Sequence, residues 1–243
     1  MSIQQSIQKK IDRVAPGKII TYRNLSDLHD ACPSAVAKGM ERLVRKGVLV
    51  RQRPGVFYKP EHGRFGPLAL QESEILRQFM FEDGRLTGYL SGPDAFRALG
   101  ITTQVANTVT IATPRNRRGV ELEGLSIRFI QSRVKTIQQG DIPKLQLLDA
   151  MSRIRKVPDV DIDEAVKKMI AILADYSDKD RERVFLLAKK YGPRVKALLG
   201  AILQDIGRDD LAMQLKSRLN PSTAYKIGVS ADVLPNKAEW SIS

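Results

Sequence analysis

Apolar residues recur at helical spacing at the start of the chain: Ile3, Ile7, Ile11 and Val14, with Lys9, Lys10, Asp12 and Arg13 on the other side. Pro16-Gly17 ends this helix, and Lys18-Ile19-Ile20-Thr21 is a short β-branched run. Thr21 is placed to cap a second helix that buries Leu25 and Leu28, and Asp30 to Pro33 read as a turn. Ser34 then reads as the N-cap of a third helix over 35–46, whose stripe is Val36, Met40, Leu43 and Val44. Gly39 inside that helix costs about 1 kcal/mol against Ala, which tight packing on a neighbouring helix would explain. After Gly47, Val48 to Arg53 alternates, turns at Pro54-Gly55 and returns as Val56 to Lys59, a hairpin with Leu49 and Phe57 inward.

The stretch Pro60 to Pro67 is rich in Pro and Gly and lacks periodicity, so it reads as a linker. Beyond it, Ser73 to Phe81 is an amphipathic helix, and Ser91 is placed to cap another that buries Phe96 and Leu99. Asn107 to Thr113 and Leu125 to Ile130 alternate and are expected to pair as strands. From Asp141 to about residue 218 the pattern is helical, with Asp161-x-x-Glu164 as a capping box, Ser177 as a cap and a core stripe of Val195, Leu198, Leu199, Ile202, Leu203 and Ile206. Trp240, in an irregular tail, is expected to dock back on the core. The expected class is α+β. A winged helix-turn-helix over 1–62 precedes a larger mixed domain over 63–243, with a small antiparallel sheet and a helical C-terminal part.

Charge sharpens this picture. The 243 residues hold 40 Lys and Arg against 27 Asp and Glu, a net +13. Residues 1–66 contain 13 basic and 5 acidic residues, so +8 of that excess sits in about a quarter of the chain, where it favours phosphate. In a winged helix the last helix enters the major groove and the wing grips the flanking backbone. Ser34, Lys38, Arg42 and Arg45 are therefore assigned to the groove, and Lys46, Arg51, Arg53 and Lys59 to phosphate. The alternative is a winged helix that contacts protein and leaves a solvated basic face. Arg115, Arg117 and Arg118 form a second basic loop, either a partner or nucleic-acid contact or a solvated hairpin tip.

Other classes are excluded or disfavoured. No apolar run approaches the ~20 residues of a membrane span, and the polar N-terminus lacks the apolar centre of a signal peptide. The single cysteine, Cys32, excludes an internal disulfide. Together these point to the cytoplasm and away from a membrane partner. With only His29, His62 and Cys32 for soft ligands, no structural zinc site is expected. The acids Asp159, Asp161, Asp163 and Glu164 lack the turn-forming Gly and distal Glu of a calcium loop, so helix capping explains them better. Glu121 and Glu123 are the sole carboxylates placed for a metal-dependent nuclease, and no Lys accompanies them. No nucleophile elbow or phosphate-binding loop occurs. The chain thus reads as a non-enzyme without metal or cofactor, and a DNA-targeted nuclease is the least favoured alternative.

Several strings in order carry a resemblance: Gly55-Val-Phe-Tyr-Lys-Pro60, Gly63-Arg-Phe-Gly66, Gly88-Tyr-Leu-Ser-Gly92, Leu99-Gly-Ile-Thr-Thr-Gln104 and Val109-Thr-Ile-Ala-Thr-Pro114. Asp141-Ile-Pro-Lys-Leu-Gln-Leu-Leu-Asp149, Leu219-Asn-Pro221 and Leu234-Pro-Asn-Lys237 complete them. Together they resemble the AbiEi-type antitoxins of type IV toxin–antitoxin systems. That resemblance implies a winged domain that binds operator DNA and represses its own operon. It also implies a C-terminal domain that neutralises a nucleotidyltransferase-like toxin, either by touching it or by opposing its effect. The alternative is a plain transcriptional regulator whose second domain senses a ligand or dimerises.

Overall fold

The computed structural model describes residues 2–122, 124–156 and 160–243. Glu123 and Asp159, weighed above among the carboxylates, lie outside them. The chain divides into two compact units, one up to Phe79 and one from Met80 to Ser243.

The first unit begins with α1 (Ile3–Asp12), opened by a reciprocal capping box in which Ser2 accepts from the Gln5 N–H and the Gln5 side chain accepts from the Ser2 N–H. β1 (Ile19–Thr21) leads into a 3-10 turn, Tyr22–Leu25, and the short α2 (Ser26–His29). The expected second helix is therefore broken in two: Asn24 Oδ1 accepts from the Thr21 N–H and hydroxyl, and only Leu25 of its two leucines is fully buried. α3 (Pro33–Arg45) follows, then β2 (Val50–Arg53) and β3 (Val56–Tyr58), in a three-stranded antiparallel sheet of order β1-β3-β2. This is the winged helix-turn-helix arrangement. Its core joins Ile7, Ile11, Leu25, Val36, Met40, Leu43, Leu49 and Phe57. Gly39 is explained: a Cβ there would stand 2.5 Å from Ile7 Cδ1, so the glycine lets α3 lie close on α1.

The Pro60–Pro67 stretch is not a bare linker. It forms a small hairpin, β4 (His62–Gly63) paired with β5 (Gly66–Pro67), and the Leu68 N–H donates to the Glu61 carbonyl. α4 (Glu72–Met80) follows, and its Glu74 pairs with Lys18 at 2.8 Å. The break in chain compactness thus falls after Phe79 rather than near residue 62, because polar contacts tie residues 61–78 back to the winged core. Low periodicity signalled irregular chain, not absence of contacts.

The second unit opens with the hairpin β6 (Phe81–Glu82) and β7 (Arg85–Leu86), then β8 (Tyr89–Ser91), α5 (Pro93–Ala98), β9 (Thr108–Thr113), β10 (Val120–Leu122) and β11 (Leu125–Gln131). The last four strands form a sheet of order β10-β11-β9-β8. β9 and β11 pair as expected, but in parallel, because β10 intervenes and makes the antiparallel turn into β11. The helical part comprises α6 (Ile142–Arg153), α7 (Ile162–Asp175), α8 (Asp178–Ala188), α9 (Pro193–Asp205) and α10 (Asp209–Lys216). The fold is α+β. α9 is buried along most of its length, and Trp240 from the tail docks on it: the ring lies against Gly200 and Nε1 donates to Gln204 Oε1 at 2.7 Å.

Candidate nucleic-acid interface

α3 is amphipathic because its apolar residues recur every three to four positions. Val36, Gly39, Met40 and Leu43 are buried, while Ser34, Lys38, Arg42 and Arg45 follow one another along the exposed face. The helix begins two residues earlier than expected, at Pro33. Cys32 holds the N-cap position and Ser34 lies inside the first turn, since proline's fixed φ and missing N–H suit the first helical residue. Lys46 and Arg51 are exposed beside it, and the wing turns at Gly55, whose φ of +76° favours glycine. Among the described residues, Lys38, Arg42, Arg45, Lys46 and Arg51 have no acid partner and no side-chain hydrogen bond. Five unpaired cations on one helix face and its adjoining strand keep their full charge available to an external anion.

Two residues assigned to phosphate do other work. Lys59 turns inward: its Nζ donates to the carbonyls of Val14 at 2.9 Å, Asp12 at 3.2 Å and Ile11 at 3.4 Å. These carbonyls lie at the C-terminal end of α1 and just past it, where a cation also suits the helix dipole. Arg53 is half-buried rather than outward. Its Nη2 donates to Gln78 Oε1 at 2.9 Å and its guanidinium lies 5.7 Å from the centre of the Phe79 ring, so α4 occupies it. A register shift between Arg51 and Arg53 breaks the in–out alternation that placed both on one face.

In the second unit, Arg115, Arg117 and Arg118 are exposed on the loop between β9 and β10. Arg117 stands 5.9 Å over the Phe129 ring. The acids read as caps are only partly so. Asp161 Oδ1 accepts from the N–H groups of Asp163 and Glu164, whereas Glu164 turns to Lys167 at 2.8 Å and Asp163 accepts from the Ser230 N–H at 2.8 Å. Ser177 caps α8 as expected. Glu121 is exposed on the edge strand β10. Among the described residues no group of three or more His, Cys, Asp or Glu is placed to hold a metal ion, and no helix is long and apolar enough to cross a membrane.

One polar centre escaped the sequence reading. Asp149, buried on α6, accepts from Ser91 Oγ at 2.8 Å, Tyr191 Oη at 2.8 Å and Tyr89 Oη at 2.9 Å. Ser91 is therefore not the cap of α5, a position held by Gly92 at φ +73°. Burial pushes the Asp149 carboxyl above the ordinary carboxylate range, against the three hydroxyl bonds that lower it. Burial, then the charge of Asp149, pushes both tyrosines above theirs. An Asp amid Leu147, Leu148, Ala150 and Met151 was the available signal. The centre joins strand to helices.

Residues 6–181 match a family described as a family of unknown function (DUF6088). No curated protein matches the chain. Among solved structures, the Rv2827c protein from Mycobacterium tuberculosis is similar over 92% of this chain and 84% of its own, at 15% identity and a TM-score of 0.51. That likeness is one of fold.

Proposed function

We propose that this chain, which belongs to the DUF6088 family, is a cytoplasmic DNA-binding antitoxin that represses its own operon through the winged helix. The observation that carries the DNA half is the exposed row Lys38, Arg42 and Arg45 on α3, unpaired, with Lys46 and Arg51 beside it. A helix with its side chains is about 10–12 Å across and fits the major groove of B-DNA. In this docking Lys38 and Arg42 meet base edges, Arg45 the groove rim, and Lys46 and Arg51 the phosphates. The antitoxin half rests on the resemblance to AbiEi-type antitoxins and assigns the second unit to neutralising a nucleotidyltransferase-like toxin. The proposal gives the chain no catalytic residue, metal or cofactor.

The test is binding to duplex from the chain's own upstream region. Arg42→Ala is expected to lose about 1–3 kcal/mol and relax base preference at one position. Arg51→Ala should weaken binding to all sequences alike and lower the salt slope by about 1. Wild-type affinity in both variants would sink the DNA half. For the antitoxin half, the full-length double variant should still restore growth to cells expressing the neighbouring toxin-like gene. A double variant that no longer rescues growth means the two activities do not divide between the units. Repression without any rescue by the wild-type chain favours the plain transcriptional regulator.

A further inference from the structure

We propose, resting on the DNA reading above, that α4 is an autoinhibitory latch on the wing: through Gln78 and the Phe79 ring it withholds Arg53 from duplex DNA. Arg53 is the last residue of β2, beside the wing turn Pro54-Gly55 and two residues from the exposed Arg51. In the docking proposed above, a guanidinium at that place reaches the phosphates that flank the groove. It is held instead by α4, with Nη2 2.9 Å from Gln78 Oε1 and the guanidinium 5.7 Å from the centre of the Phe79 ring. The pairing of β2 with β3 shifts between Arg51, opposite Phe57, and Arg53, opposite Val56, which leaves Gln52 as the extra residue. Such a bulge re-aims the side chains around it, and here it turns Arg53 onto α4.

The hold is incomplete in two ways. Both partners are neutral, and no acid pairs with Arg53 among the described residues, so its charge is docked but not neutralised. A phosphate oxygen is an ionised acceptor and makes the shorter, stronger bond with a guanidinium. The contact also buries polar atoms that it does not satisfy. Eight buried side-chain nitrogens and oxygens lack a hydrogen-bond partner among the described residues, and four of them belong to Gln52, Arg53 and Gln78. Buried donors and acceptors without partners cost the closed state stability, and opening returns them to water. A contact kept only for stability gains by satisfying those atoms; one that opens has no need to. Release asks little of the fold. The Lys18–Glu74 ion pair anchors the first turn of α4, and Ile75, Leu76 and Phe79 bury its inner face, so only the Arg53 side chain has to swing.

Binding of the full-length chain to duplex DNA over a range of salt tests it, with duplex from the chain's own upstream region and duplex of random sequence. Gln78→Ala removes the acceptor at a half-buried position, and an unfolding midpoint close to that of wild type shows the chain intact. It should bind both duplexes severalfold more tightly than wild type and steepen the salt slope by about 1, as one added phosphate contact does. Arg53→Gln alone should leave binding nearly unchanged, since the arginine is withheld, and in that background Gln78→Ala should gain nothing. Gln78→Glu gives Arg53 an ionised partner and should gain nothing either. Wild-type affinity and slope in Gln78→Ala overturn the latch. So does a gain that survives Arg53→Gln, a gain in Gln78→Glu, or an Arg53→Gln chain that binds clearly less tightly than wild type. Absence of duplex binding by both wild type and Gln78→Ala would sink DNA binding itself and the latch with it. Binding that Arg51→Ala weakens and Gln78→Ala leaves alone sinks the latch only.

Discussion

At the scale of single residues, Lys59 and Arg51 look alike in sequence and differ completely in place. Both are cations of the wing region, but Lys59, just past β3, spends its charge on three carbonyls at and just beyond the C-terminal end of α1. Lys59→Met should lower stability by about 1 kcal/mol, read as a drop in the midpoint of chemical unfolding, and leave the salt slope of DNA binding unchanged. Asp149 supports a prediction in pH. Its folded value lies above the 3.8 of the unfolded chain, so the native state holds the proton more tightly. Its contribution is complete below about 3.8 and declines as pH rises through the folded value. Asp149→Asn removes that decline, so its Tm should gain on wild type as pH is raised from acid to neutral. A constant difference would mean that the carboxyl titrates alike in both states. Asp210 runs the other way: hydrogen bonded to Arg208, it is held down to about 2, and its contribution is lost as pH falls toward that value. Periodicity identified both aspartates as helix residues. The partners of Asp149 could not be known, because Tyr89, Ser91 and Tyr191 are far from it in the chain, whereas Arg208 stands two residues from Asp210.

At the scale of elements, the helices were legible wherever an apolar stripe met a cap. α1, α3, α5, α7, α8 and α9 lie close to where the spacing puts them, with the start of α3 displaced by Pro33 and that of α5 by Gly92. What spacing does not carry is how near two elements come. Gly200, at the middle of α9, looks like a weak point in a helix, yet a Cβ there would lie 2.1 Å from Trp240 Cζ3. Gly200→Ala should therefore destabilise by about 1–3 kcal/mol through overpacking, more than the ~1 kcal/mol it gains in helix propensity. Combining it with Trp240→Leu should show coupling in a double-mutant cycle; additive losses would mean that the ring moves aside freely. Strand pairing was legible in part. Alternation identified β9 and β11, but direction depends on what lies between them, and β10 is only three residues long.

For the whole molecule, the division into two units decides which fragments are expected to fold. A fragment of residues 1–79 contains the winged core together with the hairpin and α4 that return to it. It should unfold in one cooperative transition, whereas 1–62, ending where the Pro- and Gly-rich stretch suggested a boundary, should melt lower for want of the Lys18–Glu74 and Arg53–Gln78 contacts. Equal melting of the two would return the boundary to residue 62. The amino-acid sequence by itself determined the local facts: the α+β class, the amphipathic helices, the wing turn at Pro54-Gly55 and the basic excess of the first quarter. These follow from side-chain periodicity, backbone restriction and charge, which act over a few residues. Only the tertiary structure decided which cations are free and which are occupied, where the first unit ends, and that three hydroxyls converge on Asp149. Those are contacts between residues distant in the chain, and their energies depend on a desolvated neighbour that no local pattern specifies.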